Sequence, residues 1–324
     1  MFYRKLILSI SILCCTFNSI AQPCVPRTFS RQITITTDND RYLFQGEDRY
    51  YTNGTTFTYS TVALNHNASI AKQVNSFELG QKLFTPYSRR IYSPDQIDRP
   101  VAGYLYGKYT RTNFYSNNLI KLGISVGTIG NSSLGESLQD GFHQVIRVNS
   151  DYWGWIWEYQ IKDEPALNLH GSYAFNLINS GVPSFFQFAP VTKATLGTHF
   201  TNISQGLLFQ LGKFNMMHQS AYWQGNLRGT PKMEFNEGPE FFLYYYPSLM
   251  FQLYNATVQG GMFRKDKGPI TSSIEPLLLS QQVGVMFSLH RYTAGLQVTF
   301  QSKEATTQRY HHSYGSFQIG YAFN

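Results

Sequence analysis

Three observations predict an all-β fold: a transmembrane antiparallel β-barrel of about 12 strands with one short helix near residues 133–148. First, the 324 residues are 16% aromatic and only 14% charged, where soluble domains carry roughly 25% charged residues. Second, no run of 18 apolar residues occurs after the first 25 positions, which excludes membrane-spanning helices. Third, the mean hydropathy is nevertheless slightly negative. Aromatic-rich, charge-poor and polar on average is the signature of strands that alternate a lipid face with an interior face. A secreted soluble sandwich fits less well, because its strands average nearer five or six residues.

The chain opens on a stretch with the pattern of a secretory leader. Arg4 and Lys5 form its charged region, Leu6 to Cys15 its apolar region, and Ser19-Ile20-Ala21 its small-residue end. The expected organisation is therefore a leader over residues 1–21 and a single barrel domain over 22–324. Cleavage there removes Cys14 and Cys15 and leaves Cys24 alone, so no disulfide forms within the chain.

Ile33 and Ile35 alternate with Thr34 and Thr36, a period-two strand that ends in Asp38-Asn39-Asp40. Thr52-Asn53-Gly54 opens the next strand, where Phe57, Tyr59 and Thr61 interleave with Thr56, Thr58 and Ser60. Phe77 to Phe84 alternates and stops at Thr85-Pro86. Strands follow over 101–110 and 119–129. Leu138, Phe142, Val145 and Ile146 then fall at helical spacing and give the 133–148 helix an apolar face for the barrel wall. Trp153, Trp155 and Trp157 alternate just after it; with Tyr244-Tyr245-Tyr246 they read as interfacial girdle or rim aromatics. Seven more strands are expected near 166–178, 185–199, 204–213, 240–256, 278–290, 292–301 and 313–323, separated by Gly-, Asn- and Pro-bearing turns.

The formal charge of +7 includes Arg4 and Lys5, which leave with the leader. The remaining excess is modest and fits either ordinary solubility or attraction to anionic lipid headgroups. There is no long basic run or basic helix, which argues against nucleic acid as a partner.

Two polar segments carry the candidate chemistry. Asp38-Asn39-Asp40 and the following Thr52-Asn53 offer hard oxygens of the kind calcium takes. The same residues also suit plain Asx turns at a strand end. On the helix, Gln139 and His143 stand four apart and share a face, either to position a base or simply to meet solvent. Gly123-Ile124-Ser125-Val126-Gly127 matches a nucleophile-elbow pattern, but it lies inside an alternating strand rather than at a strand-to-helix turn, so its small residues are expected to face the interior.

Taken together and in order, Asn39-Asp40, Tyr51-Thr52-x-Gly54, Gly135-Glu-x-x-Gln139-x-x-x-His143 and Trp157-x-x-Gln160 resemble the outer-membrane lipid A 3′-O-deacylase family. The resemblance covers the first half of the chain by motif and the second half by strand rhythm. It implies calcium-dependent hydrolysis of the ester-linked 3′ acyloxyacyl chain of lipid A. It implies His143 as the base that activates water, with Gln139 orienting it or binding substrate. Asn39, Asp40 and Thr52 would form the oxyanion and calcium region, with Asp40 and Thr52 as metal ligands. Arg89, Arg90 and Tyr152 are the candidates for headgroup contacts. The implied partners are lipid A or lipopolysaccharide and outer-membrane lipids, with the barrel acting as a monomer. On the residues alone, a phospholipase-like esterase and a non-enzymatic porin or lipid-binding barrel stay open.

Overall fold

The computed structural model describes residues 29–43, 49–65, 67–88, 91–145, 154–178, 185–228 and 238–324. Side chains from Phe142 to Val145 are excepted. The leader and Cys24 lie outside the described residues.

Twelve strands form a single closed antiparallel barrel. They are β1 (Arg31–Asn39), β2 (Tyr50–Ala63), β3 (Lys72–Thr85), β4 (Ala102–Phe114), β5 (Asn118–Ile129), β6 (Glu164–Phe175), β7 (Phe186–Gly197), β8 (Phe200–Lys213), β9 (Glu240–Asn255), β10 (Leu277–Leu289), β11 (Tyr292–Gln301) and β12 (His312–Phe323). Each pairs with its sequence neighbours, and β1 closes on β12 from Arg31 opposite Phe323 to Asn39 opposite Gly315. Closure leaves no edge, so the backbone groups of every strand can pair within the wall.

The period-two pattern is what makes the two faces. On β1, Ile33 and Ile35 point outward while Gln32 and Thr34 are buried inside. On β2 and β3, Phe57 and Leu79 are 50% and 56% exposed, while Thr58, Ser60 and Ser76 face the lumen. The outer face is a belt of aliphatic and aromatic side chains suited to lipid.

The two ends of the barrel differ. One carries the start of β1, the end of β12 and tight connections, such as the turn between β10 and β11. At this end residues 214–228, which follow β8, fold back into the lumen. Phe214, Met217, Trp223 and Leu227 pack there against wall residues including Leu119, Leu208 and Phe242. Lys72 donates through Nζ to the carbonyls of Gly225 and Leu227, and the Glu240 carboxylate accepts the N–H groups of Asn215 and Ala221, each at 2.8 Å. The other end carries the long connections, fastened to one another by buried Arg99. Its guanidinium lies 2.6 Å from the Glu304 carboxylate and 3.0 Å from Thr257 Oγ1.

Helix α1 spans Gly135–Val145 at the long-loop end; it starts two residues later than expected because a 3-10 turn, Asn131–Ser133, takes up its start, and the expected end at 146–148 lies outside the described residues. Three expectations about facing are corrected. Tyr244 and Tyr246 are buried inside the barrel and only Tyr245 points out, because alternation puts 244 and 246 on one face, here the lumen, and 245 on the other. Trp157 lies in a 3-10 turn, Gly154–Tyr159, and is buried rather than at the rim. Leu138 is 49% exposed rather than packed on the wall, and Gln139 takes the buried position.

Candidate active site

Strand β1 ends where Asn39 turns the chain. Its Oδ1 accepts the Arg41 N–H at 2.8 Å, the side-chain-to-backbone bond of an Asx turn. A 3-10 turn, Asp40–Leu43, follows. Asp40 is buried, and its carboxylate accepts the N–H of Arg49, which ties the two ends of this connection together. Asp38 points the opposite way, into the lumen, and accepts the Tyr51 hydroxyl at 2.7 Å.

The second strand then does something that alternation alone forbids. Tyr51 pairs with Phe84 and Asn53 with Leu83, so Thr52 is an extra residue, a β-bulge. The bulge lets Thr52 and Asn53, neighbours in sequence, both line the same cavity. Tyr51 swings inward, and its phenol crosses Gly54 to reach Asp38. A Cβ on Gly54 would collide with that ring, which accounts for the glycine in Tyr51-Thr52-x-Gly54.

Helix α1 supplies the facing side. It is held against β3 and β4, with Gln81 Nε2 donating to the Ser133 carbonyl at 2.6 Å just before it starts. Trp157 lies over Gly135, where a Cβ would meet the indole at 2.9 Å, and packs with Leu83, Val101 and Ile156. The Trp157 indole donates to Gln139 Oε1 at 2.9 Å. An indole N–H can only donate, so the Gln139 amide is fixed with its oxygen toward Trp157 and its Nε2 available to donate.

Between wall and helix lies a cavity of about 520 Å³. Its polar part includes Asn39, Arg41, Thr52, Asn53, Gln81 and Gln139; its apolar part includes Phe57, Leu79, Leu105 and Leu138. Because Phe57 and Leu79 belong to the outer face, the cavity lies on the lipid side of the wall. The barrel supplies most of its polar lining, and the helix adds Gln139.

The structure thus brings Asn39, Thr52 and Gln139 together around one cavity, with Asp40 buried beside them. His143 lies one turn beyond Gln139 in α1; its side chain is outside the described residues, as are Arg89, Arg90 and Tyr152. Asn53, expected with Thr52 as an oxygen donor, lines the cavity as well; Gln81 and Trp157 are additional site residues. For Trp157 its place in the Trp157-x-x-Gln160 motif was the available signal. Ser125 of the Gly-Ser-Gly triplet faces the lumen, 2.9 Å from His170 Nε2, on a strand that runs on unbroken, so no nucleophile elbow forms.

The donors suited to a metal here are oxygens. Thr52 is 3% exposed, and its Oγ1 has no hydrogen-bond partner among the described residues. A buried hydroxyl in that state costs free energy unless something coordinates it. Asp40, just past the end of β1, is a buried carboxylate; carboxylate and hydroxyl oxygens are the donor type that a hard cation takes, although no group of three or more acidic, His or Cys side chains stands together among the described residues.

Comparison with known proteins agrees with this architecture. The family described as outer membrane protein LpxR matches residues 6–323. The solved structure of LpxR from Salmonella typhimurium superposes with a TM-score of 0.71 at 19% identity, covering 90% of this chain and 100% of that one. The β domain of the Bordetella autotransporter BrkA gives a TM-score of 0.46 at 8% identity, covering 92% and 99%. A search of curated proteins finds no match. Long-loop ends of such barrels face outward and short turns face the periplasm, which puts α1 and the cavity at the outer leaflet of the bacterial outer membrane. The chain is a member of the outer membrane protein LpxR family.

Proposed function

We propose that the protein is a lipid A 3′-O-deacylase that hydrolyses the ester-linked 3′ acyloxyacyl chain of lipid A. The observation that carries this reading is the position of the cavity on the lipid side of the wall, with hydrogen-bonding groups at one part and apolar side chains at the other. A lipid in the outer leaflet reaches such a site laterally, without leaving the bilayer. Its acyl chain lies along Phe57, Leu79, Leu105 and Leu138 while its ester meets Asn39, Thr52 and Gln139.

In this reading His143 is the general base. It takes a proton from a water molecule as the oxygen attacks the ester carbonyl, then gives it to the departing alkoxide oxygen, which leaves as the free hydroxyl. A neutral imidazole is needed for the first step. Gln139 Nε2, with its amide oriented by Trp157, and the amide of Asn39 donate to the oxygen on which negative charge develops. Asp40 and Thr52 are the residues that would hold calcium, which when bound supplies Lewis acidity toward that carbonyl oxygen. The hydrophobic wall excludes bulk water, so these donors act in a medium of low dielectric.

The test is the mass spectrum of lipid A from cells expressing or lacking the protein. Loss of the 3′ acyloxyacyl group on expression supports the reading. Unchanged lipid A with new lysophospholipid overturns it in favour of a phospholipase.

A further inference from the structure

The barrel holds a second polar cavity, inside the wall and unconnected with the hydrolytic chemistry. It has a volume of about 410 Å³, and Tyr222, Trp223 and Gln224 of the inward-folded connection form one side of it. Three lysines line it: Lys108, Lys121 and Lys193. Among the described lining residues the only carboxylate is Glu78. That carboxylate is committed: Lys108 Nζ lies 3.4 Å from both of its oxygens, and the Tyr106 hydroxyl donates to it at 2.8 Å.

Lys121 and Lys193 have no such counterion. Lys121 Nζ reaches the Trp223 carbonyl at 3.5 Å, and Lys193 Nζ lies 4.7 Å from the centre of the Tyr246 ring. The strand register sets their relation. Lys121 on β5 pairs with Ser172 on β6, and Ser172 pairs with Lys193 on β7. The two lysines therefore stand in one row across three strands, about 10 Å apart at the backbone, with a hydroxyl between them. The next row inward along the same strands is Gly123, His170 and Thr195, which leaves space beside a second hydroxyl. Two ammoniums sharing a walled cavity whose one described carboxylate is paired with Lys108 repel each other and are poorly solvated. An anion bridging them removes both costs, and hydroxyl donors suit an anion with several oxygens.

We infer that this lumenal cavity binds a small soluble oxyanion of the inorganic phosphate class, held between Lys121 and Lys193 with Ser172 donating. A lipid headgroup carries the same chemistry but meets only the outer face, because β1 and β12 pair along nine residues and close the wall. The occupant therefore comes from the aqueous side.

The experiment is titration of the purified full-length protein, in phospholipid-free maltoside micelles, with inorganic phosphate at constant ionic strength set by chloride. Binding is read by calorimetry and by ³¹P line broadening. Saturable binding near one phosphate per chain is expected, weakened at least tenfold in Lys121→Met/Lys193→Met and retained in Lys121→Arg/Lys193→Arg. Lys162→Met, exposed at the loop end, should bind as wild type. Micelles doped with phosphatidylglycerol should not compete. Absence of saturable binding by the wild type overturns the proposal whether or not the variants fold. So does equal binding by the Met variant, or competition by the lipid.

Discussion

Trp157 donates its indole N–H to Gln139 Oε1 across 2.9 Å, and both side chains are buried. The bond links the turn after α1 to the helix face that lines the lipid-side cavity. Trp157→Phe keeps most of the packing over Gly135 but leaves a buried amide oxygen without a donor, a loss of about 1–3 kcal/mol. We expect deacylation to fall about tenfold through kcat rather than KM, with a modest drop in Tm. Kinetics on lipid A micelles and thermal melting check this; an unchanged kcat contradicts the positioning role.

Thr52 offers a sharper separation of stability from activity. Its Oγ1 is buried without a partner among the described residues, so Thr52→Val, of nearly the same shape, should leave stability unchanged or raise it by about 1 kcal/mol. Activity should fall at least a hundredfold and lose its response to calcium, while Thr52→Ser keeps most of both. A Val variant that is stable and fully active removes Thr52 from the site.

Gly54 should tolerate nothing larger. Its missing Cβ is the space through which Tyr51 reaches Asp38. Gly54→Ala must displace the phenol or shift the strand, a cost of about 1–3 kcal/mol. Urea unfolding in micelles, compared with Tyr51→Phe, measures it. A Gly54→Ala variant as stable as wild type contradicts the crossing.

Acid should weaken the outer end of the barrel. His199, in the turn between β7 and β8, is buried against Tyr104, and its Nε2 lacks a partner among the described residues. Burial lowers its pKa to about 4, only partly opposed by Glu164. The unfolded chain, with an ordinary histidine, binds the proton first, so the stability is present above about pH 6.5 and is lost as pH falls toward 4. The loss between pH 6.5 and 5 is on the order of 1–2 kcal/mol, and His199→Gln should flatten that slope. An equal slope in the variant excludes His199 as its source.

How much of this was legible in the sequence follows from what each feature depends on. The twelve strands were legible because a wall with lipid on one side imprints period two on the chain, as in Ile33, Ile35 and Phe57. Facing was less legible for aromatics. Tyr244 and Tyr246 fill the lumen as readily as a girdle, and Trp157 serves as a hydrogen-bond donor in the turn beyond the helix. The bulge at Thr52 was invisible because it exists only in the register between β2 and β3. The lumenal connection around 214–228 carries no period at all, since its fold is set by the cavity it enters. Within the candidate site, Asn39, Asp40, Thr52 and Gln139 came from motif order and Asn53 from its place beside Thr52, whereas Gln81 needed the wall to be assembled.

The central claim is that the cavity between wall and helix, with His143 as base, cleaves the 3′ ester of lipid A. The most direct measurement is the mass spectrum of lipid A incubated with purified protein, with His143→Ala, and with wild type in the presence of a calcium chelator. Loss of the 3′ acyloxyacyl group with wild type alone, restored to the chelated sample by added calcium, is the predicted result. Intact lipid A with wild type, or full cleavage by His143→Ala, contradicts it.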